Sequence, residues 1–203
     1  VTKVSGKPPG KDDIDSCRRC DLWQRATQGV SGEGPVFAAL MLVGEQPGDE
    51  EDLQGRPFVG AAGRLLRGAL VDAGIAVDDI YLTNAVKHFS WEPRGKRRIH
   101  KTPAQREIAA CRAWLIEEIT RVGPAVIVAL GATALNGVMG SKMRVGEARS
   151  RELVHPLGAR VIATYHPAAV LRAPDADAKA ELMRALVADL ARAAALAAKT
   201  VRL

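Results

Sequence analysis

The chain has 203 residues, 47% of them hydrophobic, enough for one packed domain and too apolar for a disordered chain. Lysine and arginine total 29 against 23 acidic residues, and the formal charge of +6 favours polyanionic partners. No apolar run approaches the roughly 20 residues of a membrane helix, and the polar, Gly/Pro-rich start lacks the apolar centre of a secretory signal. Three cysteines are an odd count, which argues against a disulfide scaffold and for a reducing cytoplasm with metal or cofactor ligation.

In chain order, residues 1–13 read as a flexible tail, and residues 14–203 as a single domain. Ile14 to Thr27 is expected to be a short helical segment carrying Cys17 and Cys20. Phe37 to Val43 is an apolar run closed by Gly44, which predicts a buried strand. Arg64 to Ala73 predicts a helix with Leu65, Leu66, Leu70 and Val71 on one side. Ile80 to Thr83 is a second strand. Thr102, Pro103 and Gln105 mark a helix start, with Thr as cap and Gln closing a capping box. That helix runs to about Val122, with Ile108, Cys111, Leu115 and Ile119 along one face. Ala125 to Leu130 is a third strand, followed by a helix from Ala132, and Arg160 to Tyr165 is a fourth. Asp177 to Ala198 is a closing helix.

Strands alternating with helices predict an α/β fold: a three-layer α/β/α sandwich around a mostly parallel, four-stranded sheet. Ligands in such sheets bind beyond the carboxyl ends of the strands. Glu45, Asn84 and His166 fall there and are expected to share one crevice. A second His-Pro pair, His155-Pro156, follows only a short apolar run, so His155 is read as a surface or turn histidine.

Cys17 and Cys20 form a C-x-x-C, Cys111 lies on a helix, and His88 is the candidate fourth ligand. Three thiolates and an imidazole suit either an iron–sulfur cluster or zinc. The alternative leaves Cys111 as an ordinary buried cysteine and Cys17–Cys20 as a redox pair. A thioredoxin-like role is disfavoured because the motif precedes the first strand.

Gly44-Glu45-Gln46-Pro47-Gly48, Gly55-Arg56-Pro57-Phe58-Val59-Gly60, Leu82-Thr83-Asn84 and His166-Pro167-Ala168 occur in that order. With the upstream C-x-x-C, they resemble the iron–sulfur uracil-DNA glycosylases of family four, over about Cys17 to Arg172. In that family four cysteines hold a 4Fe-4S cluster; here His88 stands at the third position. Between His88 and Cys111 lies Gly95-Lys96-Arg97-Arg98-Ile99-His100-Lys101, longer than in ordinary members. Its GKRRIH resembles the signature loop of the X-type uracil-DNA glycosylases, which also have a histidine among their cluster ligands. That resemblance implies a bacterial DNA-repair enzyme that excises uracil and becomes covalently joined to DNA through His100. It also implies a 4Fe-4S cluster on Cys17, Cys20, His88 and Cys111, free uracil as product and action at the nucleoid. A monomer is the default.

The residue types suit such chemistry. Breaking the base–sugar bond builds positive charge on the sugar and negative charge on the base. Glu45 can steady the sugar cation, against the reading of a solvated acid beside Asp49, Glu50, Glu51 and Asp52. His166 can donate to the uracil O2 while neutral. The Asn84 amide can accept from N3–H and donate to O4, a pattern that cytosine reverses; Asn84 could equally be an ordinary turn residue. Phe58 can stack on the base or be plain core. Gln46, in the loop to Asp49, is a candidate for base contact and for excluding the thymine methyl. Extracting the base favours single-stranded DNA. Lys96, Arg97, Arg98, Lys101 and Arg172 are candidate phosphate contacts. The basic run and the helix start at Thr102 disfavour imidazolium at His100, leaving a lone pair to attack C1′. Three alternatives stay open: a turnover glycosylase using water, a zinc-held nucleic-acid-binding module, and, lowest, an oxidoreductase suggested by Gly60-Ala61-Ala62-Gly63, which lacks a full G-x-G-x-x-G.

Overall fold

The structure is a computed structural model and describes residues 6–201. In chain order it contains α1 (Lys11–Asp15), β1 (Leu40–Gly44), α2 (Asp49–Gln54), α3 (Ala61–Asp72), β2 (Ile80–Asn84), β3 (Trp91–Arg94), β4 (Arg97–His100) and α4 (Gln105–Val122). Then follow β5 (Val126–Leu130), α5 (Ala132–Met139), α6 (Val145–Arg149), β6 (Leu153–Val154), β7 (Arg160–Thr164), α7 (Pro167–Leu171) and α8 (Ala176–Val201).

The central sheet has the order β2-β1-β5-β7-β6. β2, β1, β5 and β7 are parallel, and β6 pairs antiparallel with β7. The expected architecture is therefore present, with five strands in place of four: the Leu153-Val154 run is a short antiparallel edge. Alternation along each strand sorts the two faces. Met41, Val43, Ile127, Ala129 and Val161 pack with Leu115, Ile119 and Leu135 from α4 and α5. Leu40, Leu42, Val126, Val128 and Ile162 pack with Leu66, Leu70, Leu186 and Leu190 from α3 and α8. Among the described residues, no helix is long and apolar enough to cross a membrane.

Several expectations need correction. The helical segment over Ile14 to Thr27 is instead α1, beginning at Lys11, a connection holding Cys17 and Cys20, and a 3-10 turn at Asp21–Gln24. The expected tail thus includes the start of α1, and residues 1–5 lie outside the described residues. β1 starts three residues later than predicted, because Phe37 has φ 75° and cannot extend a strand. Val71 faces solvent at 75% exposure: one residue past the inward Leu70, it is turned about 100° away on the helix. α4 starts at Gln105, where the Glu107 carboxylate accepts from the Ala104 N–H at 2.7 Å, so the capping pair is Ala104–Glu107. His155 is buried at the β6–β7 turn, its Nδ1 accepting from the Leu157 N–H at 3.1 Å, so it is a turn residue but not a surface one.

Candidate active site

The ends of β1, β2, β5 and β7 open into one cavity of about 560 Å³ whose lining includes Glu45, Gln46, Phe58, Asn84, His100, Thr133, His166 and Arg172. The parallel sheet brings Glu45, Asn84 and His166 together, as topology predicts. Two glycines make the room. A Cβ on Gly44 would collide with the Asn84 amide and the Phe58 ring, and one on Gly63 with the Phe58 main chain. Phe58 is buried and carries φ 56°, a strained value for a phenylalanine, so the turn that presents its ring is held by its surroundings. Glu51 is part of that hold. It accepts from the Gly48 N–H at 3.1 Å and the Gly60 N–H at 2.9 Å, joining the two glycine-rich loops.

His166 caps α7, and its Nδ1 accepts from the Ala168 N–H at 3.1 Å. An accepting Nδ1 leaves the proton of a neutral ring on Nε2. Burial pulls the His166 pKa down to about 4, opposed by Glu45 and reinforced by Arg172 and His100. Burial also pushes the Glu45 carboxyl up, but hydrogen bonds from His100 and Thr133 and the charges of His100 and His166 outweigh it. Glu45 ends below the ordinary range.

The loop that carries His100 is a β-hairpin, β3–β4, with Trp91 paired to His100. His100 Nε2 lies 3.2 Å from Glu45 Oε1, the histidine 47% and the glutamate 21% exposed. The charge in contact with the ring is thus a carboxylate, where the sequence pointed to the basic run. Arg98 turns inward. Its Nη1 meets Asp52 Oδ2 at 2.6 Å and Thr27 Oγ1 at 3.1 Å, its Nε meets Asp49 Oδ1 at 2.6 Å, and its guanidinium lies over Trp91. Gln46 closes the base of the hairpin, accepting from the Ser90 N–H at 2.9 Å and donating to the Ser90 and Lys101 carbonyls at 3.1 Å. Lys96, Arg97, Lys101 and Arg172 remain exposed.

A family model of the uracil DNA glycosylase superfamily matches residues 31–191. The chain belongs to the uracil-DNA glycosylase superfamily. It is 40% identical over 181 residues to a Type-4 uracil-DNA glycosylase of Thermotoga maritima, covering 89% of this chain and 88% of the relative. It is 39% identical over 168 residues to one of Pyrobaculum aerophilum, covering 79% and 82%, and 38% identical over 174 residues to one of Sulfurisphaera tokodaii, covering 81% and 76%. Membership in the superfamily agrees with the parallel sheet and with the cavity at its strand ends.

None of the three cysteines of this superfamily member is in a disulfide. Burial raises Cys20, and raises Cys111 to about 11, and in both the neighbouring thiols add to the rise. The Trp114 Nε1–H donates to Cys17 Sγ at 3.2 Å and the Lys87 N–H to Cys111 Sγ at 3.3 Å. Sulfurs gathered and receiving N–H bonds fit the thiolate side of a cluster. His88 is also buried, but the charges around it are Asp15, Asp52 and Arg18. Among the described residues, no group of three His, Cys, Asp or Glu side chains is arranged to hold a metal ion.

Sequence reasoning missed the work of the acidic run. Glu51 and Asp52 are buried, and Asp52 accepts from the Thr27 N–H at 3.0 Å besides Arg98. A usable signal was present: Asp49 and Asp52 are three apart at the start of a helix and share a face. Thr133 gave no such signal.

Proposed function

We propose that this protein excises uracil from DNA, preferably single-stranded, and ends joined to the emptied sugar through His100. The observation that carries this reading is the 3.2 Å approach of His100 Nε2 to Glu45 Oε1 at the cavity lined by Asn84, Phe58 and His166. The relatives' name, uracil-DNA glycosylase, supports the excision half.

Asn84 reads the extracted base through its amide, and Phe58 stacks on it. His166 donates from Nε2 to the uracil O2 as charge develops there; its low pKa keeps the ring neutral at working pH. As the bond from C1′ to uracil N1 breaks, the electron pair leaves with the base. A nitrogen of His100 then supplies its lone pair to C1′, and the remaining ring proton passes to Glu45 and on to the uracil anion. Glu45 thus steadies the sugar cation and acts as base to the nucleophile. Gln46 holds the hairpin in register. Arg98 acts through Asp49 and Asp52 to dock the hairpin, while Lys96, Arg97, Lys101 and Arg172 face phosphates.

Cys17, Cys20 and Cys111, with His88, are the residues that would hold a 4Fe-4S cluster, which would tether the N-terminal segment to α4 beside the hairpin. The chemical steps above are carried by the protein's own side chains.

Uracil-containing single-stranded DNA mixed with the protein and run on a denaturing gel tests the reading. A slower band that survives heat and detergent is expected, and His100→Ser should remove it. Abasic product without that band supports the turnover reading, in which Glu45 activates water. Neither product supports a binding module.

A further inference from the structure

Lys87 and Glu118 are both fully enclosed, at 0% exposure, with Nζ 2.6 Å from Oε2. Every hydrogen-bonding atom of the pair is used. The ammonium donates to Glu118 Oε2, to Thr83 Oγ1 at 2.6 Å and to the main-chain carbonyl of Asn84 at 2.9 Å. The Thr83 hydroxyl donates to Glu118 Oε2 at 2.8 Å, and Glu118 Oε1 accepts from the Gly32 N–H at 3.1 Å. A buried ion pair bears a desolvation cost that an apolar pair of similar volume avoids, so stability does not account for these two residues. Their distinctive contact is the Asn84 carbonyl, at the point where β2 ends and the Asn84 side chain enters the cavity. A methionine at 87 would fill similar space and offer no donor. Through its own N–H and carbonyl, Lys87 also ties that point to Cys111 Sγ and to the Val30 N–H.

We propose that Lys87, neutralised by Glu118, is a positioning residue for base recognition: it fixes the Asn84 peptide and thereby the donor–acceptor orientation of the Asn84 amide. The proposal rests on the reading that Asn84 recognises uracil. The N–H of the same peptide, from Ala85, is held by the Gly44 carbonyl at 2.9 Å, so Lys87 fixes the opposite, carbonyl edge. Released there, the peptide would tilt about the remaining bond, turn the amide and blur the distinction between uracil and cytosine, whose edges present opposite patterns.

The test uses two short single-stranded oligonucleotides, carrying 2′-fluoro-2′-deoxyuridine or 2′-fluoro-2′-deoxycytidine at one position. The fluorine opposes charge build-up at C1′, so neither base is released and no adduct forms. The ratio of their dissociation constants isolates base reading from shared phosphate contacts. Asn84→Ala should bring the ratio close to one. Lys87→Met combined with Glu118→Gln keeps an acceptor for the Gly32 N–H and gives the Thr83 hydroxyl an amide donor in place of the lost ammonium, and should lower the ratio about tenfold, as for one lost buried hydrogen bond. Added to Asn84→Ala, the same pair should cost nothing more. A merely structural role would weaken both oligonucleotides alike. A wild-type ratio in the Lys87/Glu118 variant, with Asn84→Ala still collapsing it, overturns the positioning role alone. An unchanged ratio in Asn84→Ala overturns the reading of Asn84, and the proposal with it. Should the Met/Gln variant not fold, Lys87→Gln with Glu118→Gln answers the same question, since its shorter side chain draws back from the Asn84 carbonyl. A lowered ratio that vanishes in the Asn84→Ala background supports the proposal, and a wild-type ratio overturns it.

Discussion

In the cavity, Glu45, Asn84 and His166 sit on or just past the ends of strands whose inner residues are buried along their length. In the hairpin, His100 ends a strand that is half in solvent and is held to the body by Arg98, Gln46 and Trp91. The first group owes its placement to hydrophobic packing, which is cooperative and slow to yield. The second owes it to a few directional polar contacts, each of which can be removed singly. The two halves of the proposed reaction therefore rest on separable elements: base excision would belong to the sheet, and capture of the sugar to an element docked against it.

The largest expected effect is at their junction. Glu45→Gln keeps the shape of the side chain but removes the carboxylate beside the His100 ring, the one proposed to steady the sugar cation. Adduct formation, followed by single-turnover gel assay, should slow by about 10²-fold or more. An unchanged rate would mean that the 3.2 Å pair is incidental.

Next comes the docking of the hairpin. Arg98→Lys retains one positive charge for buried Asp52 but cannot reach Asp49, Asp52 and Thr27 together. Adduct yield should fall about tenfold, in keeping with the loss of one or two charge-assisted bonds, while uracil release is kept. Equal losses in both readouts would show that the hairpin and cavity do not separate.

A smaller effect belongs to the cavity alone. His166 is pulled from 6.5 to about 4 in the fold, so between those values the unfolded chain binds a proton that the native ring refuses. Stability is therefore complete above about pH 6.5 and falls as the pH drops toward 4. Glu45, held below its ordinary range, shifts stability in the same direction. Thermal melts across that range should show the decline, and His166→Asn should flatten it. A melting temperature that rises on acidification would contradict the neutral-donor role.

The smallest effect is at the hairpin tip. Lys96→Ala and Arg97→Ala should each weaken binding of a non-cleavable oligonucleotide and reduce the salt slope by about one. Neither should alter the ratio of adduct to released uracil.

The contrast between the two regions also governs what the sequence disclosed. Apolar runs such as Leu40–Val43 and Val126–Leu130 name their own strands, and a parallel sheet then places the residues that follow them. Glu45, Asn84 and His166 were legible for that reason. The hairpin was visible only as a basic insertion. That Arg98 points inward, and that Asp49 and Asp52 receive it, depends on a contact between segments 46 to 49 residues apart, and no local pattern encodes such a pairing. Lys87 and Glu118 were silent too. A single lysine beside a strand end reads as a solvated charge until the fold encloses it.

Peptide mapping by mass spectrometry, after reaction with uracil-containing DNA and digestion of both chains, tests the account most directly. It predicts a fragment containing His100 that carries the DNA-derived sugar, the whole adduct weighing protein plus DNA minus one uracil. Unmodified His100 peptide alongside DNA that has lost uracil and gained water would contradict it.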